Sequence, residues 1–183
     1  MANVKVTAMT ELTAPADGDL LYCVDDPGGS PLPRKLQIKN LLKSARGEIK
    51  AVGASGSQTL TSGVYDIITQ FATNGVSKNC TNDQANDKIT ITTAGDYLLS
   101  FTVSFTTPST SVLVEIAVFH NAVITDVIAS ADTDSAGERT CLTASGYFTV
   151  AAGAQDLTLR VKGDSADSFD VKEMNLRCER VID

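Results

Sequence analysis

The segment from Ile89 to Phe105 constrains the fold of this chain more than any other, because apolar side chains recur in it at every second position. Most odd positions carry Ile, Tyr, Leu, Phe or Val, and most even positions carry Thr, Ser or Asp, with Leu98 as an apolar exception. Successive strand side chains point to opposite faces, so the pattern predicts strands with one buried face. Gly95 lies at a bend, which predicts two short strands or one strongly bent strand at the centre of an antiparallel β domain.

Similar alternation continues towards the C-terminus. The segment from Val112 to Phe119 is apolar on both parities except at Glu115, which predicts a strand covered by a second sheet on one face and by a neighbouring subunit on the other. The apolar phase flips near Lys172-Glu173, which predicts a β-bulge. About eight strands spaced by turns favour a mainly β fold, a two-sheet antiparallel jelly-roll sandwich.

Residues 1–50 differ from this β domain. Four of the five prolines lie in residues 15–33, and proline fixes φ and removes a donor, which predicts an extended N-terminal arm with a strand-like run at Leu20–Val24. Apolar residues from Ile38 to Ala45 have helical spacing, and Gly47 is placed to end the element, which predicts one short helix. We therefore predict an arm at residues 1–50, a linker at 51–62 and a knob domain at 63–183.

Charge also separates the two parts. The formal net charge is −7, with +1 on residues 1–50 and −8 on residues 51–183. The positive residues between Arg34 and Lys50 fit a solvated helix face and an electrostatic docking patch about equally well. The overall negative charge disfavours nucleic acid as a partner, and no run approaches the roughly 18 apolar residues of a membrane span.

No catalytic constellation is visible. His120 is the only histidine, and its place before a turn favours a strand-end role over general-base chemistry. Carboxylates cluster at residues 132–138 and 164–170, but their spacing matches a Ca²⁺ loop poorly. We expect no enzyme activity, no cofactor and no metal.

The four cysteines lie far apart in the sequence. The N-terminus lacks the apolar core of a secretory signal, so we expect synthesis in a reducing cytoplasm, where cysteines act as small buried hydrophobes. Two disulfides are the alternative that an even count permits. These residues are Cys23, Cys80, Cys141 and Cys178.

From about Gly63 to Asp183, the order of features resembles the TNF-like and complement globular-head jelly rolls. The likeness rests on residues 94–98 as a hairpin entry, on residues 112–121 as an apolar strand ending in an Asn turn, and on residues 151–159 as a small-residue turn before an apolar strand. Such domains assemble as trimers through an inner sheet, so the resemblance implies a homotrimer. The residues predicted at the trimer interface are Val112, Val114, Ile116 and Val118.

Residues 1–45 resemble the N-terminal attachment segments of bacteriophage virion fibre and decoration proteins, at positions 9–15, 19–25 and 36–42. The resemblance implies a viral structural protein that binds the phage major capsid protein at the virion surface, after synthesis in the bacterial host cytoplasm. With no long shaft between arm and knob, we favour a capsid decoration (cement) or head-fibre protein. The alternative is a short tail-fibre or receptor-recognition module that binds a host surface molecule.

The attachment residues that we predict combine apolar and basic side chains of the arm. They are Leu20, Leu21, Tyr22, Arg34, Lys35, Ile38, Lys39, Leu41, Leu42, Lys43 and Arg46.

Overall fold

The computed structural model describes residues 20–25, 32–37, 44–53 and 56–181, with backbone alone in the first two ranges. The chain divides into two compact units, Met1–Lys43 and Ser44–Asp183. In the first unit, β1 (Leu20–Asp25) pairs with β2 (Leu32–Gln37) as an antiparallel hairpin. The predicted strand at Leu20–Val24 is present, and a second strand that we did not predict pairs with it. Both strands of a two-stranded ribbon are edges, where a proline such as Pro33 is tolerated.

The second unit is a two-sheet β sandwich. The front sheet, as we call it, has the order β12-β9-β14-β3-β6, with β4 also paired to β14; the back sheet has the order β11-β10-β13-β8-β7, with β5 also paired to β13. A short 3-10 helix, Gln84–Asn86, follows β7. In this described part, no helix is long and apolar enough to cross a membrane. The strands are β3 (Arg46–Ala51), β4 (Gly56–Thr59), β5 (Asp66–Ile67), β6 (Thr73–Asn74), β7 (Cys80–Asp83), β8 (Lys88–Ile91), β9 (Gly95–Thr106), β10 (Val112–His120), β11 (Val123–Thr133), β12 (Thr140–Val150), β13 (Gln155–Gly163) and β14 (Ser168–Arg180).

The central alternating segment forms two strands, one in each sheet. Ile89 and Ile91 of β8 point into the core from the back sheet, and the odd-numbered residues of β9 point into it from the front sheet. The chain crosses between the sheets just before Gly95, which has a φ of +141°. This positive φ favours glycine, and a Cβ at this position would lie 2.5 Å from Arg180 Nε, so that the Arg180 side chain would have to shift.

Two local predictions are confirmed by the register of the strands. Asn121 and Ala122 have φ values of 46° and 66°, and this left-handed pair forms the tight turn between β10 and β11. The pairing of β14 with β9 shifts between Val171 and Glu173, which is the bulge that the phase change predicted.

The boundary between the units lies after Lys43 rather than after residue 50. Residues 46–51 and 56–59, which we predicted to be arm and linker, form β3 and β4, and both strands pair with β14. Every second residue of β3, including Gly47 and Ile49, is buried, so its pattern has the period of a strand. Gly47 therefore does not end a helix. Residues 38–43, which make up most of the predicted helix, lie outside the described part of the chain.

Candidate subunit interface

The four residues predicted at a trimer interface lie in the core of a single chain. Val112, Val114, Ile116 and Val118 are at most 2% exposed and belong to the hydrophobic cluster between the two sheets. They project from β10, which lies between β11 and β13 in the back sheet. This prediction is wrong for these residues, because the apolar pattern does not tell which of the two faces meets the opposite sheet.

The C-terminal half of the other face of β10 is covered by residues of the same chain. Tyr65 packs edge-on against Phe119, with ring centroids 5.1 Å apart, and the Arg160 guanidinium carbon lies 4.4 Å from the Phe119 centroid. Ala117 is fully buried, and Phe119 is 7% exposed. Within one protomer, the cover on this face of β10 therefore extends over Ala117 and Phe119, whereas Leu113 at the start of the strand is 39% exposed.

Charged groups complete this cluster on the back sheet. Lys162 Nζ lies 2.7 Å from Glu115 Oε1 and 4.5 Å from the Tyr65 ring centroid, and the Tyr65 hydroxyl donates a hydrogen bond to Glu115. The hydrogen bond from Lys162, followed by that from Tyr65, lowers the pKa of Glu115. Burial and then the contact with Glu115 raise the pKa of Tyr65. These polar groups hold the segment before β5 against the sheet.

The outward surface of the front sheet has a different character. Every second residue of β3, β9, β12 and β14 points away from the core, and most of these residues are polar or charged. We call this surface the front face; it comprises Arg46, Glu48 and Lys50, Leu98, Ser100, Thr102 and Ser104, Cys141, Thr143, Ser145 and Tyr147, and Glu173, Asn175, Arg177 and Glu179.

Two large side chains interrupt the polar front face at one end. Tyr147 lies opposite Leu98 in the pairing of β12 with β9, and the two residues are 75% and 36% exposed. Residues opposite each other on antiparallel strands share a face and interact. Tyr147 lines a concavity of about 400 Å³ together with Asp96, Thr149 and Val181. An exposed aromatic ring beside a concave surface is typical of a protein–protein contact site.

A second concavity, of about 500 Å³, crosses the other end of the front face. Arg139 borders it, with its Nη2 3.1 Å from Glu173 Oε2 and its Nε donating a 2.5 Å hydrogen bond to Ser104 Oγ. Met174 and Cys141 contribute apolar surface to the same concavity. This end of the front face therefore combines a fixed charge pair with an apolar lining.

Glu48 organises the edge of the front face beside β14. Its Oε1 accepts a 2.6 Å hydrogen bond from Asn175 and lies 3.6 Å from Arg177 Nε, and its Oε2 accepts a 3.4 Å hydrogen bond from the Val76 backbone. Burial acts to raise the pKa of Glu48, but these hydrogen bonds and the charges of Arg177 and Lys50 together lower it. Glu48 is therefore held as a carboxylate whose direction is fixed by its neighbours.

The predicted attachment residues fall into three groups. Leu20, Leu21 and Tyr22 lie on β1, and Arg34 and Lys35 lie on β2, so the hairpin places these five positions on two paired strands, with Tyr22 opposite Lys35. Arg46 is an exposed residue at the start of β3 and so belongs to the second unit. The predicted attachment residues that lie outside the described part of the chain are Ile38, Lys39, Leu41, Leu42 and Lys43.

His120 ends β10, as predicted. Its Nε2 lies 2.8 Å from Gln155 Oε1, and its ring centroid lies 4.7 Å from that of Phe148. Among residues 44–53 and 56–181, no three His, Cys, Asp or Glu side chains come together in a group that fits a metal ion.

Solved structures share this architecture. The structure of Eiger TNF from S. frugiperda matches 76% of this chain and 94% of its own, with a TM-score of 0.55 and 11% identity. Murine APRIL matches 75% of this chain and 99% of its own, with a TM-score of 0.51 and 12% identity. The fold is that of a TNF-like jelly roll. The PRD1 vertex protein P5 matches 93% of this chain and 85% of its own, with a TM-score of 0.53 and 10% identity. No family model and no curated protein matches the sequence.

Tyr147 and Leu98, the large side chains on the front face of the jelly roll, were not among the predicted site residues. The sequence nevertheless carries a signal for both. Leu98 is the apolar residue on the polar parity of β9, and Tyr147 lies on the polar parity of β12, where Leu142 and Val150 mark the inward face. An apolar residue out of phase with its strand is a candidate contact residue when the rest of that face is polar.

Proposed function

We propose that this protein is a non-enzymatic structural protein of a bacteriophage particle. In this proposal, residues 1–43 bind the major capsid protein, and the jelly roll forms a homotrimeric knob on the virion surface, as in a decoration (cement) or head-fibre protein. The supporting observation is the likeness to the PRD1 vertex protein P5, which extends over 93% of this chain. The jelly-roll unit makes up only about three quarters of the chain, so this likeness reaches into residues 1–43, whereas the matches to Eiger TNF and APRIL need no more than the jelly roll.

The homotrimer is supported by the TNF-like fold and by the front face. The back sheet covers β10 with its own Tyr65 and Arg160, whereas the front face presents Tyr147, Leu98 and two concavities. In a cyclic trimer, one edge of this face would contact a different part of the same face on the next copy. Small Ser and Thr side chains allow close approach of the sheets, and Tyr147 supplies the kind of aromatic anchor that protein interfaces favour.

Attachment through the first unit is supported by the physics of its hairpin. An isolated two-stranded hairpin is at best marginally stable in water, so a partner surface that covers β1 and β2 gains affinity and stabilises the pair together. Arg34 and Lys35 lie on β2 and favour an acidic partner surface. Three copies per knob raise the effective concentration of each arm once the first is bound.

The test is a comparison of the full chain with a variant that lacks residues 1–43, each mixed with capsids that do not carry the protein. The truncated jelly roll keeps its own hydrophobic core, so we expect it to fold and to remain trimeric but not to sediment with capsids. The full chain should sediment with them. Full-length Arg34→Gln/Lys35→Gln protein should bind more weakly and with a flatter salt dependence, whereas the matched Lys78→Gln/Lys172→Gln protein should bind like the wild type.

Two outcomes would overturn this division of roles. Undiminished capsid binding by the truncated protein would place attachment in the jelly roll. Binding of the full chain to host cells or envelope glycans, without binding to capsids, would favour the receptor-recognition module instead.

A further inference from the structure

Two cysteines from opposite sheets meet at one side of the jelly roll. Cys80 begins β7 in the back sheet, and Cys178 lies near the end of β14 in the front sheet. Both are free thiols, and their side chains are hydrogen-bonded to each other. Cys178 is 1% exposed, whereas Cys80 is only partly buried and can be reached from solvent.

The approach of the two thiols is built into the backbone around them. Gly47 lies opposite Cys178 in the pairing of β3 with β14, and a Cβ on Gly47 would lie 3.3 Å from Cys178 Sγ, so glycine leaves the space that the thiols occupy. Arg46 and Lys78 exchange two backbone hydrogen bonds, of 2.8 and 2.9 Å, which fasten the segment before β7 to the start of β3. The Cys178 thiol therefore lies against β3, and the segment just before Cys80 is fastened to the start of the same strand.

The two thiols are chemically unequal. The hydrogen bond from Cys178 lowers the pKa of Cys80, and the same hydrogen bond, followed by burial, raises the pKa of Cys178. Because the thiolate is the nucleophile in thiol–disulfide exchange, the accessible Cys80 is the residue that reacts first. Cys178 then lies next to the sulfur that has reacted.

We propose that Cys80 and Cys178 are the site of an intramolecular disulfide that links the front and back sheets when the protein meets a low-molecular-weight disulfide such as oxidised glutathione. The Cys80 thiolate attacks one sulfur of glutathione disulfide, forms a mixed disulfide and releases one glutathione. Cys178 loses its proton to solvent and attacks the Cys80 sulfur, which expels the second glutathione. The protein loses two electrons and two protons, and the small disulfide becomes two thiols. This proposal does not depend on capsid attachment.

The experiment uses the full chain with Cys23→Ser and Cys141→Ser, so that only this pair remains, beside the wild type. After incubation with oxidised glutathione, alkylation and peptide mass spectrometry should find Cys80 linked to Cys178 and two alkylatable thiols lost. Closing a loop of about one hundred residues should raise the melting temperature by roughly 5–15 °C, reversibly with reductant. The matched control adds Cys80→Ser to the same background, at the more exposed position, so that folding is preserved; circular dichroism checks this, and its melting temperature should not respond to oxidant.

Any of three results would overturn the proposal, and the first two concern the chemistry of the pair. One is a stable glutathione adduct on Cys80 with Cys178 still alkylatable after unfolding. The other is full alkylation of both residues under conditions that oxidise a reference dithiol. A rise in melting temperature that persists in the Cys80→Ser control would likewise refute the assignment, because it would show that the oxidant acts elsewhere.

Discussion

Replacing Tyr147 by serine should dissociate the homotrimer that we propose without unfolding the subunit. The ring is 75% exposed in the single chain, so its removal leaves the core of the jelly roll intact. It lies opposite Leu98 and beside the concavity at one end of the front face, where a neighbouring copy would cover it. We therefore expect the substitution to weaken subunit association and to leave the folding stability of the subunit unchanged.

The size of the expected loss in association free energy follows from the exposed area of Tyr147. Full burial of an aromatic side chain removes about 150–250 Å² from water. With 75% of Tyr147 still exposed, neighbouring subunits can cover roughly 110–190 Å² of it, or about 3–5 kcal/mol at about 25 cal/mol per Å². The polar hydroxyl and incomplete contact reduce this value. We therefore expect Tyr147→Ser to cost about 2–3 kcal/mol of association free energy per subunit, or about 6–9 kcal/mol per trimer. The trimer association constant should then fall roughly 10⁴- to 10⁶-fold, and the concentration of half-dissociation should rise roughly 10²- to 10³-fold.

Sedimentation velocity and light scattering over a range from nanomolar to tens of micromolar protein would measure this change. Ile124→Ser is the matched control, because Ile124 is 42% exposed on the back sheet and its loss should leave the subunit number unchanged. A monomeric wild type at micromolar concentration, or a Tyr147→Ser trimer with an unchanged midpoint, would refute the assignment of the front face. A stable dimer would still be consistent with burial of Tyr147 by a neighbouring copy, but it would exclude TNF-like trimeric assembly.

Three further predictions concern the jelly roll itself. Ile116→Ala should lower the free energy of unfolding by about 2–5 kcal/mol in urea denaturation without changing the subunit number, since Ile116 is a fully buried core residue. Gly47→Ala should cost about 1–3 kcal/mol in the same assay, because its Cβ would lie 2.6 Å from Ile89 Cγ2 and 2.8 Å from Asn82 Oδ1. The lowered pKa of Glu48 means that its charge stabilises the fold above the unfolded-state value of 4.5 and that this contribution is lost as pH falls through the lower folded-state pKa. The stability difference between wild type and Glu48→Gln, measured in urea at several pH values, should therefore be largest near neutral pH and shrink in acid.

The sequence was sufficient to predict the sandwich wherever one strand face is apolar and the other polar. The segment from Ile89 to Phe105 has that pattern, and both of its strands point their odd-numbered apolar residues into the core. The turn at Asn121 and the bulge beside Glu173 were also predictable, because each depends on local backbone chemistry or on a change of phase. These features need no knowledge of distant residues.

Predictions failed where the deciding contact is distant in the sequence. β10 is apolar on both faces, and the sequence does not show which residues pack against each face. One of these residues is Tyr65, which is 50 residues away from Glu115, the residue that it contacts. β3 was missed because its inward side carries Gly47 and Ala51, whose small size hides the alternation, while its charged residues continue the basic pattern of the arm. Its pairing with β14 on one side and β6 on the other reveals it as a strand.

The contact surface of an assembling subunit is hard to recognise for a related physical reason. A subunit that folds before it assembles must keep its future interface soluble, so most of that surface has to look like ordinary polar surface. The front face meets this condition, and the anchors that we propose on it are visible in the sequence only as out-of-phase apolar residues. That criterion alone also selects Ile124 and Ile128 on the back sheet. Tyr147 is more exposed than either of them and lines a concavity of about 400 Å³, and an anchor gains its energy from a shaped and desolvated contact rather than from exposure alone. The comparison of Tyr147→Ser with Ile124→Ser therefore measures whether shape, and not phase alone, marks the interface.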